Sequence, residues 1–247
     1  MKAILTGHTR GLGAAIAREL LLRGIPVLGI SRHGNAALAS RFPAALLQAD
    51  VDLADAEALA RWLEGGALQR YLAGSEAALL INNAGTVQPI GSLDAQDAMR
   101  IAQAVNLNVA APMMLASAVA ATGDAAAAAR DLRILHISSG AGRSAYAGWS
   151  VYCATKAALD HHARAVALDK MPGIRICSLA PGVIDTDMQA EIRATPLERF
   201  PLRERFDGLK RDGQLADPVD CARRLVDFLL SPRFGQAPVA DLRDAGT

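Results

Sequence analysis

Residues 139–156 read S-G-A-G-R-S-A-Y-A-G-W-S-V-Y-C-A-T-K and place three reactive groups close together: the hydroxyl of Ser139, the phenol of Tyr152 and the amine of Lys156. If residues from about 149 to about 170 form one helix, Tyr152 and Lys156 stand at i and i+4 and project from the same face. A free phenol has a pKa of about 10, so exchanging a proton near neutrality needs about 4 kcal/mol of help, and a fixed cation beside it acts in that direction. Ser139 follows the apolar run R-I-L-H-I-S, which reads as a buried strand whose end can hold a hydroxyl opposite the phenol. Only four lysines stand against twenty-two arginines; a compact amine whose pKa moves readily suits this position better than a guanidinium. Taken alone, Y-x-x-x-K more often describes an ordinary half-buried pair on an amphipathic helix.

The surrounding chain alternates strand and helix. Residues 3–6 form an apolar run ending in T-G-H-T-R-G-L-G, after which A-A-I-A-R-E-L-L-L-R has helical periodicity and stops at Gly24. Further strands are expected at residues 26–30, 46–49, 77–81, 133–137 and 174–179, with a final edge strand at 237–240. Helices are expected at 55–72 with a break at Gly65–Gly66, at 94–121 with an interruption at Pro112, at 149–171 and at 218–230. The five alanines within residues 124–130 read as a helix end or a loose connection. Continuous apolar strands covered by helices on both faces predict a single-domain α/β fold over residues 1–247, a doubly wound, mostly parallel, Rossmann-like sheet. Residues 187–217 are charged, with Phe200 and Phe206 set among them. They read as a solvated helix pair or as a lid over a substrate, and the lid is favoured because they follow the end of a strand.

Gly7, Gly11 and Gly13 lie between the first strand and first helix, where backbone N–H groups can cradle a pyrophosphate. Thr6, Thr9 and Leu12 belong to the same turn. The second strand ends in Ser31–Arg32 rather than in a carboxylate, and Arg10 sits beside the glycines. Two guanidiniums and a hydroxyl suit a 2′-phosphate, which favours NADP(H) over NAD. Asp50, followed by Val51, could reach the adenine or serve as a helix cap.

The net charge of +1 argues against nucleic acid as the main partner. Cys153, Cys177 and Cys221 form no C-x-x-C pair, and the five histidines show no metal spacing. No stretch reads as a membrane span and the chain opens directly on a strand, so a soluble cytoplasmic protein without a metal is expected.

T-G-x-x-x-G-x-G at residues 6–13, N-N-A-G at 82–85, Asn106, S-x12-Y-x3-K at 139–156 and P-G-x-x-x-T at 181–186 together resemble the short-chain dehydrogenase/reductase family. The resemblance implies that Tyr152 protonates the substrate oxygen during reduction and that Lys156 lowers its pKa and holds the nicotinamide ribose. It further implies that Ser139 bonds the carbonyl oxygen and that Asn106 holds a water linking Lys156 to solvent. Asn83, Ala84, Gly85, Pro181, Gly182, Ile184 and Thr186 would line the cofactor. Within the family, G-W-S-V-Y-C-A-T-K-A-A and A-P-G-V-I-D-T-D-M-Q look like sepiapterin reductases and bacterial benzil reductases, which reduce a dicarbonyl or a side-chain ketone with NADPH. By that likeness Trp149 would touch the substrate and Asp241 would anchor a pterin. Helices around residues 108–121 and 149–171 would form a homodimer or homotetramer interface. The alternatives are a dinucleotide-sensing regulator without catalysis, or a short-chain dehydrogenase for a different carbonyl or alcohol.

Overall fold

Strand β1 (Lys2–Thr6) shows why the sheet lies at the centre: Ala3 and Leu5 enter one hydrophobic core, Ile4 the other, and all three are fully buried. A strand covered on both faces needs this composition. In the computed structural model, which describes residues 1–122 and 130–244, β1 is followed by α1 (Gly11–Leu22), β2 (Val27–Ser31), α2 (Ala36–Arg41), β3 (Leu46–Asp50), α3 (Ala56–Glu64), α4 (Ala67–Leu72) and β4 (Ala77–Asn82). The second half comprises α5 (Ala98–Val105), α6 (Ala111–Ala120), β5 (Asp131–Ile137), α7 (Ser150–Leu168), β6 (Ile174–Ala180), α8 (Asp187–Ala194), α9 (Arg203–Arg211), α10 (Pro218–Leu230) and β7 (Val239–Asp241). The alanine-rich patch expected around residues 124–130 falls almost wholly outside the described residues.

The seven strands form one sheet in the order β3-β2-β1-β4-β5-β6-β7, and every pairing is parallel. Strand order reverses between β1 and β4, which opens a crevice at the carboxyl ends of these strands. One core packs α1 and α10 against the sheet through Ile16, Leu20, Leu225 and Leu229. The other packs α3, α4, α6 and α7 through Leu59, Leu72, Leu115 and Ala163. Each fully buried leucine or isoleucine contributes about 1.5–3 kcal/mol relative to exposure.

Two expectations change. The interruption in the long apolar helix lies ahead of Pro112: a π-helical turn, Asn106–Ala110, joins α5 to α6, with Ala111 N–H donating to Asn106 O. Pro112 has no N–H to return to the carbonyl four residues earlier, so the regular ladder is interrupted there in any case. The continuous helix Ala98–Ala120 also reaches the length and mean hydropathy, 1.2, of a membrane span, which the sequence was expected to lack. It is built into the second core through Ala111, Leu115, Ala116 and Val119.

The first turn leaves no room for a side chain at its last glycine. A Cβ on Gly13 would stand 1.9 Å from Gly7 O, whereas one on Gly140 would meet nothing within 4 Å. Overpacking of this kind costs about 1–3 kcal/mol. Gly13→Ala should therefore lower the Tm by about 2–12 °C in a thermal melt followed by circular dichroism. Gly140→Ala should stay within a degree or two of the parent.

Candidate functional site

The crevice is built from four strand ends. At the end of β1, Thr6 Oγ1 accepts hydrogen bonds from Asn83 N (2.9 Å) and Ala84 N (3.0 Å), while Asn83 Nδ2 donates back to Thr6 O and Gly7 O. This clamp fixes the N-N-A-G turn against the glycine turn. Helix α1 begins without a side-chain cap and without an acid in its first turn, so its first N–H groups remain available to an anion. Thr186 faces the same turn from the other side, since a Cβ on Gly11 would lie 3.4 Å from its Cγ2. Gly182 adopts a φ of 92° beside it, and Ile184 is buried beneath. These residues fit a dinucleotide lying across the switch point.

The groups expected to select a 2′-phosphate are unevenly placed. Arg32 is exposed and forms no salt bridge among the described residues. Arg10 is exposed and meets Asp187 at 3.2 Å, a weak surface pair that an incoming phosphate can displace. Ser31, expected to face the phosphate with its hydroxyl, instead donates to His33 O at 2.8 Å and lies 3.2 Å from His8 Nδ1. Asp50 is exposed at the end of β3 and Val51 is buried, its N–H donating to Ser31 O. His8, fully buried within the glycine turn, was not singled out from the sequence; its ring occupies the space left by Gly29 and pairs with Gln48 Oε1 at 2.7 Å.

On the other side of the crevice, α7 carries Tyr152 and Lys156 on its buried face, 7% and 5% exposed. Lys156 Nζ donates to Ile137 O at 2.8 Å and lies 5.7 Å from the centre of the Tyr152 ring. Ser139 begins a short 3₁₀ turn, accepting from Ala141 N at 3.2 Å, and its side chain lies beside the phenol, close enough to act against the upward shift of its pKa. The three groups first read from the sequence therefore converge.

The direction of the phenol's shift is a correction. Burial pushes Tyr152 up to about 12 and outweighs the Ser139 side chain, which acts the other way. Burial likewise brings Lys156 down to about 8, opposed by the nearby Asp160 carboxylate. The net shift is upward because burial is the larger effect, and the ammonium that would act the other way is turned to Ile137 O, 5.7 Å from the ring centre. The phenol is consequently fully protonated at neutral pH.

Asn106 is also corrected. Its Nδ2 donates to Ala54 O, away from the lysine. Asn108, 1% exposed, takes the inward position: its Oδ1 accepts from Thr86 N (2.9 Å) and its Nδ2 donates to Thr86 O (2.8 Å) and Thr155 Oγ1 (3.1 Å). A Cβ on Gly85 would lie 3.2 Å from Asn108 Oδ1 and 3.6 Å from Lys156 Nζ, so these three meet at one point. The π-helical turn shifts which side chains face inward, and an unbroken helical spacing gives no sign of it.

Above the phenol, Trp149 stacks on Phe200 with ring centres 4.6 Å apart and meets Tyr152 edge-on at 5.3 Å. Phe206 closes the same cluster, so both aromatic residues of the 187–217 segment are buried against the site. Trp149 Nε1 is buried with no hydrogen-bond partner among the described residues. Asp241, expected to stand ready for a pterin, is instead held by Arg243 through two bonds of 2.8 and 2.7 Å, with Arg143 at 3.8 Å. These guanidiniums keep its carboxyl below the usual range.

A doubly wound sheet with a glycine turn at its switch point, facing a serine, a tyrosine and a lysine, defines a dinucleotide-dependent oxidoreductase architecture. The sequence profile described as short chain dehydrogenase matches residues 1–197, and the chain belongs to that family. It is 35% identical over 242 residues to the benzil reductase ((S)-benzoin forming) of Bacillus cereus, covering 96% of each chain. It is 31% identical to the sepiapterin reductase of Meriones unguiculatus, covering 98% of this chain and 95% of that one. The crystal structure of a short-chain dehydrogenase/reductase from Burkholderia vietnamiensis superposes with a TM-score of 0.71 at 48% identity, covering 98% of this chain and 97% of that one. The family's fold binds a nicotinamide dinucleotide, and its members are oxidoreductases of carbonyl and alcohol pairs.

Removing Asn108 leaves both the N–H and the C=O of Thr86 without their partner. Asn108→Leu should cost about 1–3 kcal/mol in urea unfolding, the penalty of stranded buried polar groups. Asn106→Leu, which loses one bond to Ala54 O, should cost under about 1.5 kcal/mol.

Proposed function

We propose that the protein is an NADPH-dependent carbonyl reductase acting on a ketone or vicinal dicarbonyl of the benzil or sepiapterin type. The observation that carries this reading is the convergence of Ser139, a buried Tyr152 and a buried Lys156 at the end of β5. A bound nicotinamide supplies the hydride. Gly7, Gly11, Gly13 and the start of α1 hold its pyrophosphate, while Asn83, Ala84, Gly85, Pro181, Gly182, Ile184 and Thr186 line it. Arg32 and Arg10, with Ser31 shaping the loop between them, favour a 2′-phosphate.

Ser139 and Tyr152 bond the same carbonyl oxygen and polarise it. Tyr152 then delivers its proton to that oxygen, and the Lys156 ammonium offsets the negative charge left on the phenol. Asn108, with Gly85 leaving space beside it, positions the inner end of Lys156 and takes the relay role that the resemblance assigned to an asparagine. Phe200 and Phe206 on the 187–217 lid, with Trp149, exclude water from the reacting atoms. The unpartnered Trp149 N–H offers a donor to a second substrate oxygen, which favours a dicarbonyl over a simple ketone. Asp241, neutralised by two arginines, favours an apolar diketone over a pterin.

The enzyme works in the cytoplasm as a homodimer or homotetramer, with no nucleic-acid or membrane partner. Met99 and Val105 on α5, Leu168 at the end of α7 and Met171 just beyond it are exposed apolar residues, the two helices meet one another, and a second copy would cover them.

The decisive assay follows NADPH and NADH oxidation with benzil, simple diketones, sepiapterin and steroid ketones. A diketone should be reduced with NADPH preferred, and Tyr152→Phe should lower turnover by about 10²–10⁴ while cofactor binding survives. Cofactor binding without turnover of any carbonyl or alcohol would instead identify a dinucleotide-sensing regulator.

A further inference from the structure

Resting on the reductase reading above, the structure holds a second charged group beside the reactive residues that the sequence did not reveal. Asp160 lies one turn beyond Lys156 on α7 and is 1% exposed. Its Oδ1 accepts from Ser138 Oγ and from Ser178 Oγ, both at 2.7 Å, and Arg143 Nε lies 3.3 Å from its Oδ2. These partners come from the residue beside Ser139, from β6 and from the loop leading to Tyr152. Arg143 in turn donates to Ala240 O at 2.8 Å and approaches Asp241, so β7 is drawn into the same network. A Cβ on Gly142 would lie 3.1 Å from Asp160 Oδ2 and 3.0 Å from Lys156 O, which shows how tightly the loop is laid over this turn of the helix.

We infer that Asp160 is a positioning residue for the reduction: its carboxylate fixes the Ser138–Ser139 segment against α7 and supplies the buried counter-charge that keeps Lys156 an ammonium, with Arg143 moderating that charge. Among the described residues, the groups facing Lys156 are few. On its own helix they are Tyr152 and Asp160; from β5 His136, fully buried and pushed down to about 3, stays neutral; from the N-N-A-G turn and the π-helical turn come only Gly85 and the amide of Asn108. Asp160 is faced by Arg143, by the two serines and by Cys177 of β6, whose thiol burial pushes up to about 12. The carboxylate of Asp160 is thus the anion that opposes the lysine's loss of its proton.

Burial has brought Lys156 down to about 8, so its ammonium is present below that pH and lost above it. Reduction should fall on this alkaline limb, because the neutral amine cannot offset a phenolate. Asp160→Asn keeps the side chain's shape but removes the charge, and the limb should move to lower pH by about half a unit or more. Arg143→Met leaves the Asp160 charge undiluted, and the limb should move to higher pH. A residue that only held the loop in place would give losses in both variants without opposite displacements.

The test measures kcat/KM for benzil with NADPH from pH 6 to 10 in the parent, Asp160→Asn and Arg143→Met, alongside NADPH binding by fluorescence. Opposite displacements of the alkaline limb support the inference. An active parent whose limb is unmoved in Asp160→Asn overturns it and leaves the reductase reading intact. A parent that binds NADPH but reduces no carbonyl overturns that reading and the inference with it. Should Asp160→Asn fail to fold, Arg143→Met decides alone: an upward displacement supports the inference, and an unmoved or lowered limb overturns it.

Discussion

Burying an ammonium between a helix and the end of a parallel sheet is the constraint on which the site depends. Transfer of such an ion out of water costs several kcal/mol even after relaxation, and the fold meets that cost with specific partners. Ile137 O receives a hydrogen bond from Lys156, Asp160 adds a charge of opposite sign one turn away, and Gly85 packs beside Nζ. Each partner comes from a different element. The positions of β4, β5 and α7 must therefore all be correct for the lysine to remain charged, which links the stability of the sheet to the chemistry of the site.

The same burial sets the state of the phenol. Tyr152 is held protonated near neutrality, and the ammonium becomes useful to it only as the phenol gives up its proton. A charge developing on the tyrosine would meet a fixed cation in a site of low dielectric, where such an interaction is stronger than in water. Trp149, Phe200 and Phe206 keep that dielectric low by closing over the ring.

Much of this arrangement is legible in the sequence, and the parts that are not have physical causes. The parallel sheet is readable because strands covered on both faces carry continuous apolar runs, and the glycine turn because its spacing sits between a strand and a helix. Ser139, Tyr152 and Lys156 are readable because two share a helix face and the third ends the preceding strand. Asn108 is misread as Asn106 because a π-helical turn changes the inward face without changing composition. The shift of the phenol is misread because burial of both members of a pair is a tertiary property. Asp160, Ser178 and the pair Ser138 and Arg143 come from three separate segments, so no local pattern announces their network; only the i, i+4 relation of Asp160 to Lys156 hints at it.

Burial leaves the Lys156 amine holding its proton weakly enough to titrate close to physiological pH. Lysine ¹³Cε chemical shifts recorded against pH in the cofactor-free protein test this directly, with the Lys156 signal assigned by its loss in Lys156→Met. The expected midpoint for that signal is near 8. A midpoint in the ordinary lysine range near 10.5 would mean that the amine is hydrated, and would contradict the claim that burial sets its charge.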